Sequence, residues 1–443
     1  MPIRTLDEYL KQATAHTTTK QQTTKPKYMI VEFYKETEFQ ETPIGKIPKE
    51  WKVLHLRELF TYIKGKKPKT LMSEKKEGCL PYLTTDYLRT GIPSNYAKHE
   101  KNTIVVKDND ILLLWDGSNA GEFFLGKKGI LASTMVKLLP KTNDVSTLFY
   151  FYYLKLVETR LKSLTKGTGI PHVEKSVFEN LLLVKPKLEE QWGIAEVLST
   201  VDKAIEETEK LIERLERLKK ALMQELLTKG IGHKEFKDTP IGKIPKEWKV
   251  VKLEDVAVKI TDGSHWSPKA VEFSNYRIAT VANLKETYID INSCKFISKE
   301  DYERLLREGD VPKRGDILFS KDGTIGICFA FKQDNYNIAV LSSIAIIRPN
   351  PKLLYSDFGA YVLKSPIVLR QILGRKTGTA LRRILLKDLR TVKIPLPPLN
   401  EQYQIANILS SIDKWLELEK IRKEKLVRLK KGLMNLLLTG RVR

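Results

Sequence analysis

The stretch TPIGKIPKEWKV occupies Thr42 to Val53 and returns letter for letter at Thr239 to Val250, 197 positions further on. A repeat of that length at a fixed offset marks a duplicated structural unit, and it divides the chain before any element is assigned. A second matched pair closes the unit: LEEQWGIAEVLSTVDKAIE from Leu188 answers LNEQYQIANILSSIDKWLE from Leu399, at an offset of 211. The larger offset leaves the second interior 14 residues longer than the first. Between these edges only fragments correspond, in the same order. NDILLLWDGSNAG from Asn109 matches GDILFSKDGTIG from Gly315, ASTMVKLLP from Ala132 matches LSSIAIIRP from Leu341, and KGTGIPHV from Lys166 matches KTGTALRRI from Lys376. The pattern is a domain followed by a helix, written twice.

Each interior reads as mixed α/β. WKVLHLREL and WKVVKLEDV predict a strand passing into a short helix, and NDILLLW, GDILFS and LSSIAIIRP predict short strands bounded by Gly, Asp and Pro. After each domain the apolar residues step by 3 and 4, which predicts a long helix with a coiled-coil seam. The seam runs through Ile194, Leu198, Val201, Ile205, Ile212 and Leu215 in the first helix, and through Ile405, Leu409, Ile412, Leu416, Leu426 and Leu429 in the second. A helix with one apolar stripe buries it, and the best partner in the chain is the other copy. The linker after the first helix is short, so the pair is antiparallel. Residues 188–228 hold 10 acidic and 6 basic side chains and 399–439 hold 5 and 8, so opposite nets face each other. The expected division is 1–38, an extension and linker; 39–187, the first domain; 188–228, the first spacer helix; 229–398, a linker and the second domain; 399–443, the second spacer helix. Thr5 and Glu8 fit a capping box for a short helix within that extension.

The chain has 443 residues, too many for one ordinary core, and a net charge of +23. Residues 42–187 carry 25 basic and 14 acidic side chains and residues 239–398 carry 27 and 17, so the excess sits in the two domains. This points to a polyanionic partner, with nucleic acid first and a membrane surface or plain solubility as the alternatives. No window of 18 apolar residues exists, and the amino terminus lacks the apolar core of a signal peptide, so a soluble, cytoplasmic protein is expected. Cys79, Cys294 and Cys328 and the six histidines show no metal spacing. GEFFLGKK, Gly121 to Lys128, approaches a P-loop but has Lys128 where Ser or Thr would hold magnesium. No Asp/Asn-Pro-Pro-Tyr/Phe methyltransferase motif, Pro-Asp nuclease motif or GxSxG occurs, so a non-catalytic chain is expected.

Binding features are easier to find. KGKKPK sets Lys64, Lys66, Lys67 and Lys69 around Gly and Pro in a loop suited to phosphate, or simply to solvent. Lys127 and Lys128, which end GEFFLGKK, are further candidates for DNA contact. In the second domain ITDGSHWSPK offers Thr261, Gly263 for a tight turn, His265, Trp266 and Lys269, with a packed tryptophan as the alternative to a stacking one. Lys321 stands in GDILFSKDGTIG. Near each domain's end lie Lys166, Thr168 and His172, and Arg375, Lys376, Thr379, Arg382 and Arg383. Arginine forks onto guanine O6/N7 or onto phosphate. Asp116 and Asp322 read as turn formers.

These features together resemble the specificity subunits of type I restriction-modification systems. The resemblance covers Phe39 to Gly440 and rests on the IGKIPKEW openings, GDILFSKDGTIG, the GTG loops, IPLPPLNEQYQIANILSSIDK with its first-copy counterpart, and the LLTG ending. The first-copy VKPKLEEQ lacks the Pro-Pro of the second. The resemblance implies two homologous mixed α/β target-recognition domains separated by two long antiparallel coiled-coil helices in a pseudo-twofold repeat. Each domain would read half of a bipartite site in double-stranded DNA, and unlike interiors imply unlike half-sites. It also implies partners: two methyltransferase (M) subunits that use S-adenosylmethionine and two restriction (R) subunits that use ATP and Mg, with one copy of this chain, itself without cofactor, in the complex. An adaptor without sequence specificity is the alternative. A reader of unlike half-sites would not keep the same base contacts twice, so TPIGKIPKEWKV is expected to dock each domain onto its helix.

Overall fold

The computed structural model describes residues 34–165, 171–373 and 383–443. The expected capping box at Thr5 and Glu8 lies outside them. Residue packing gives two compact units, 34–210 with 421–443, and 211–420.

In chain order the first unit opens with β1 (Phe39–Thr42), β2 (Gly45–Pro48), β3 (Lys52–His55), α1 (Leu56–Leu59) and β4 (Phe60–Lys64). There follow β5 (Cys79–Leu83), α2 (Thr85–Thr90), β6 (Tyr96–Lys98), β7 (Val105–Val106), β8 (Ile111–Leu114), β9 (Phe123–Leu125), β10 (Gly129–Leu131) and β11 (Met135–Pro140). Helices α3 (Thr147–Ser163) and α4 (Lys175–Glu179) and strand β12 (Leu182–Lys185) lead into the long helix α5 (Leu188–Lys229). The second copy repeats the plan with β13 (Phe236–Thr239), β14 (Gly242–Pro245), β15 (Lys249–Lys252), β16 (Ala257–Asp262), β17 (Tyr276–Ala279), β18 (Lys295–Ile297) and α6 (Lys299–Glu308). It continues through β19 (Ile317–Ser320), β20 (Cys328–Ala330), β21 (Asn337–Val340), β22 (Ile344–Pro349), α7 (Ser356–Leu363), α8 (Pro366–Leu373), α9 (Leu386–Arg390), β23 (Lys393–Leu396) and the second long helix, α10 (Leu399–Leu437).

Strand order shows the duplication directly. The sheet β4-β11-β8-β9 of one copy is β16-β22-β19-β20 in the other; β6-β5-β10 is β18-β17-β21; β3-β12 is β15-β23. The middle of NDILLLW shows why such a strand has no polar alternation. Ile111 and Leu113 face a core shared with Phe149, Tyr150 and Leu154 of α3, while Leu112 and Leu114 face a second core with Leu83 and Ile130. Both faces are buried, so both parities are apolar. In the second copy Ile317 and Phe319 face one core and Leu318 the other.

The repeated opening folds the same way twice. Thr42 pairs with Gly45 and Thr239 with Gly242 in a tight hairpin, with both glycines at positive φ and each threonine hydroxyl donating to the glycine carbonyl at 2.6 Å. Trp51 and Trp248, three residues past the hairpin, are buried, and each ring reaches the first turn of a long helix: Trp51 Nε1 donates to Glu190 Oε2 at 3.1 Å and Trp248 Nε1 to Glu401 Oε2 at 2.9 Å. The next helix residue is a fully buried glutamine in both copies. Gln191 accepts from Ser146 N and donates to the carbonyls of Asp144 and Pro186; Gln402 accepts from Tyr355 N and donates to those of Leu353 and Pro397. Two adjacent polar side chains thus fix the domain's hairpin and the start of its main helix to one turn of the spacer.

The carboxylate of Glu190 also holds Arg443, whose Nε lies 2.7 Å from Oε1, while another Arg443 nitrogen lies 2.8 Å from Glu36. These hydrogen bonds, the one to Glu190 first, raise the guanidinium above its ordinary pKa, and Arg443 holds Glu36 below the usual carboxylate value. Tyr34–Glu36 runs antiparallel beside Arg441–Arg443. In the other copy His233 takes that place, with Nε2 2.9 Å from Glu401.

The long helices run antiparallel within each unit. In the first unit Lys430 meets Asp202 at 2.5 Å and Lys423 meets Glu209 at 2.8 Å; in the second Lys219 meets Asp413 at 2.5 Å and Lys420 meets Glu216 at 3.5 Å. Ile194 and Leu198 pack with Leu433, Met434 and Leu437, Ile405 and Leu409 with Leu222 and Leu226, and Ile412 and Leu416 with Leu215 and Ile212. Val201, Ile205 and Leu426 are half-buried. Leu429 departs from the expected seam, being 52% exposed. At 100° per residue the stripe through Ile405, Leu409, Ile412 and Leu416 continues through Glu419, Lys423, Leu426 and Lys430, and Leu429 falls off it. Part of the seam is charged, which a search for apolar periodicity passes over.

Candidate nucleic-acid interface

The KGKKPK loop and the matching loop of the second copy each begin at a glycine whose packing leaves no room for a Cβ. An ideal Cβ on Gly65 would lie 2.0 Å from Ala132 O, and one on Gly263 would lie 2.1 Å from Val340 O. The reason for Gly263 is therefore close backbone approach rather than the positive φ that a tight turn suggests. After Gly65, Pro68 is buried while Lys66, Lys67 and Lys69 are exposed. Those three lysines make no ion pair among the described residues. After Gly263, Pro268 is buried and His265 and Lys269 are exposed. A glycine and a proline pin each loop, and the polar residues between and beside them face outward.

A charged cluster sits at the root of each loop. In the first copy Lys64 Nζ contacts Asp116 Oδ2 at 2.8 Å, and Asp116 bridges backbone to backbone with His172, which is exposed. Beside them Trp115 stacks on Tyr62, ring centroids 5.3 Å apart. Burial, then the nearby Glu179 carboxylate, pushes the Tyr62 phenol up to about 12, so it stays a neutral donor. In the second copy the residue matching Trp115 is Lys321. It lies 3.2 Å from Asp262 and 3.1 Å from Asp322, and Asp322 bridges to Arg383.

Lys321 therefore departs from its expected place as a ligand contact: it is 2% exposed and its charge is matched internally. A lysine buried between two carboxylates fixes the loop root. Trp266 is half-buried; its Nε1 donates to Glu308 at 3.2 Å and Arg304 lies over its ring at 4.4 Å, so the ring already has partners. Thr261 is half-buried at the end of β16. Lys127 and Lys128 are exposed in the turn between β9 and β10, a strand-turn-strand connection with no helix to receive a phosphate, and Lys127 lies over Tyr87 at 5.5 Å. Lys166, Thr168, Arg375, Lys376, Thr379 and Arg382 lie outside the described residues. No three His, Cys, Asp or Glu side chains come together to hold a metal among the described residues. No helix there is long and apolar enough to cross a membrane.

Two further sets of residues escaped the sequence reading. Tyr152 donates to Asp202 at 2.8 Å, and Asp202 meets Lys430 on the other helix; Tyr361 donates to Asp413 at 2.6 Å, and Asp413 meets Lys219. Each domain is tied through one tyrosine and one aspartate to a lysine on the opposite helix. Burial first, and the aspartate second, raises both phenols. The aspartates of STVDKA and SSIDKW stand at matching places in the repeat, which was the available signal.

This architecture defines a class: a two-domain protein made by internal duplication, with unlike basic loops on like supports. Residues 48–217 and 245–428 both match the family described as the type I restriction modification DNA specificity domain, and the chain belongs to that family. It is 41% identical to the type I restriction enzyme MjaVIII specificity subunit of Methanocaldococcus jannaschii, over 94% of this chain and 98% of the relative. The MjaIX specificity subunit of the same organism is 27% identical, over 83% of this chain and 88% of the relative. Among solved structures the type I restriction-modification S subunit from M. genitalium shares the fold, with a TM-score of 0.59 at 16% identity, covering 87% of this chain and 96% of that one.

Proposed function

We propose that this chain is the DNA-reading, non-catalytic subunit of a cytoplasmic type I restriction-modification complex. One copy would bind double-stranded DNA with each domain on one half of a bipartite, asymmetric site. Its long helices would dock two methyltransferase subunits and two restriction subunits, and S-adenosylmethionine, ATP and Mg would act in those partners. The observation that carries the reading is the contrast between support and interior. Trp51–Glu190, Gln191 and Tyr152–Asp202–Lys430 recur as Trp248–Glu401, Gln402 and Tyr361–Asp413–Lys219, whereas the loops they support differ in length and charge. Like supports fit like partners; unlike loops fit unlike half-sites. Lys66, Lys67 and Lys69 would contact phosphates, which position a reader without specifying bases.

The test is an exchange of interiors. Residues 54–165 are replaced by those of a relative with a different target, and the methylated sites of the assembled complex are mapped. The expected outcome is a change in one half-site with the other retained. A target altered in both halves, or methylation indifferent to sequence, would refute the proposal.

A further inference from the structure

Phe273, in the divergent interior of the second copy, is 77% exposed. Its ring is held: the Phe296 ring lies 5.4 Å away, centroid to centroid, and the Arg277 guanidinium lies over Phe296 at 4.8 Å. Strand geometry puts the three together. Arg277 of β17 is the register partner of Phe296 of β18, and Val271 N donates to Phe296 O, which brings the Phe273 segment alongside. On the other face of β17 Tyr276 meets Tyr302, and Ile278 packs with Ile297 and Leu305 against α6. Arg277 therefore points away from α6, on the face of Phe296.

The Arg277 side chain has no hydrogen-bond partner among the described residues although part of its guanidinium is buried. Its Nε is buried without a hydrogen bond, and its guanidinium forms no ion pair among the described residues. Compare Arg348, which forks onto Asp316 at 2.8 and 2.7 Å. A guanidinium over an aromatic ring with its fork unused, next to an exposed ring, is costly to keep for stability alone, because a buried unpaired donor is destabilising. The first copy has no equivalent. Ala279 pairs with Val340 where Leu83 pairs with Leu131, which sets Pro81 in the place of Arg277.

Resting on the proposed DNA-reading function, we infer that Arg277 and Phe273 are a base-reading pair of the second domain, Arg277 forking onto a guanine edge and Phe273 lying against an adjacent thymine methyl in the major groove. The net charge of +23 draws the duplex in, and the guanidinium supplies the bidentate donors that guanine O6 and N7 require. Phe296 supports the guanidinium, 4.8 Å from its ring centroid. The readout belongs to one half-site only, since proline in the first copy has no donor to offer.

The experiment uses the full chain assembled with its methyltransferase subunits and a duplex pool randomised across the site. The wild type is compared with Arg277→Lys, Arg277→Ala and Phe273→Ala. Arg277→Lys keeps the charge and loses the fork; its thermal transition checks the fold. The expected result is that both Arg277 variants lose preference for guanine at one position of one half-site by about ten- to a hundredfold. Phe273→Ala would relax the neighbouring position, and the other half-site would keep its sequence. If Arg277→Lys and Arg277→Ala retain the wild-type preference at every position, the pair does not read bases. A uniform loss of affinity across all sequences, with a smaller salt slope, would make Arg277 a phosphate contact and overturn the inference equally. A wild type that selects no sequence would remove the DNA-reading proposal itself, a distinguishable failure.

Discussion

At the scale of single residues the molecule turns on two glutamates. Glu401 Oε1 receives Ile231 N and His233 Nε2, each at 2.9 Å, and Oε2 receives Trp248 Nε1 at 2.9 Å. One carboxylate, 11% exposed, thus satisfies donors from the helix end, from the linker and from the repeated tryptophan. Glu401→Ala leaves three donors without their acceptor, and a destabilisation of about 2–4 kcal/mol is expected from the loss of a buried charged acceptor. Trp248→Phe removes one of the three bonds and should cost about 1–2 kcal/mol. Denaturant unfolding with hydrogen exchange over 231–252 measures both, and an alanine variant within about 0.5 kcal/mol of wild type would show that the carboxylate is not a clamp. The tryptophan's importance was legible because it recurs in an identical stretch. Its partner was not, because Glu190 and Glu401 stand 139 and 153 residues away and nothing local in LEEQ or LNEQ names what a carboxylate will hold.

At the scale of elements the long helices show what periodicity does and does not record. Ile194, Leu198, Ile405 and Leu409 were legible as seam residues because apolar side chains spaced by 3 and 4 have one common face, and burial follows. Lys219, Lys423 and Lys430 occupy that face too, but their reason for being there is an aspartate or glutamate on the opposite helix, invisible to a hydrophobic count; Leu429 was misassigned for the same reason. The two equivalent ion pairs differ in environment. The side chains of Lys219 and Asp413 are 16% and 9% exposed, whereas those of Lys430 and Asp202 are 27% and 34% exposed. Removing one partner of a shielded pair strands the other, while a wetter pair is screened. Lys219→Ala should therefore destabilise its unit by about 2–3 kcal/mol and Lys430→Ala by about 1 kcal/mol or less. Unfolding midpoints of the two variants decide the point, and equal losses would mean that the seam tolerates both charges alike.

At the scale of the whole molecule the governing quantity is the net charge of +23, nearly all of it within the two domains. Composition made the basic surplus legible, and the loop position of the lysines in KGKKPK followed from the Gly and Pro around them. What composition could not separate was a lysine that faces solvent from one that is spent internally: Lys66, Lys67 and Lys69 are exposed, whereas Lys321, in an equally plausible loop, is enclosed by Asp262 and Asp322. The distinction depends on the end of strand β16 bringing Asp262 to Lys321, just past β19 and across β22, a tertiary fact. It also makes a quantitative prediction for DNA binding. Each phosphate neutralised by an exposed lysine releases condensed counterions, so the slope of log affinity against log salt falls by about 0.9 for every phosphate left without its lysine. Replacing Lys66, Lys67 and Lys69 together by Gln should flatten the slope by up to about 2.7 and weaken binding at low salt, with no change in the bases preferred. Replacing Lys321 by Met should leave the slope as it is, because a cation already paired with two carboxylates displaces no counterion from DNA. Titrations of the assembled complex at several salt concentrations give both slopes. A triple variant with the wild-type slope, or one whose base preference shifts, would show that the loop does not serve as a phosphate contact.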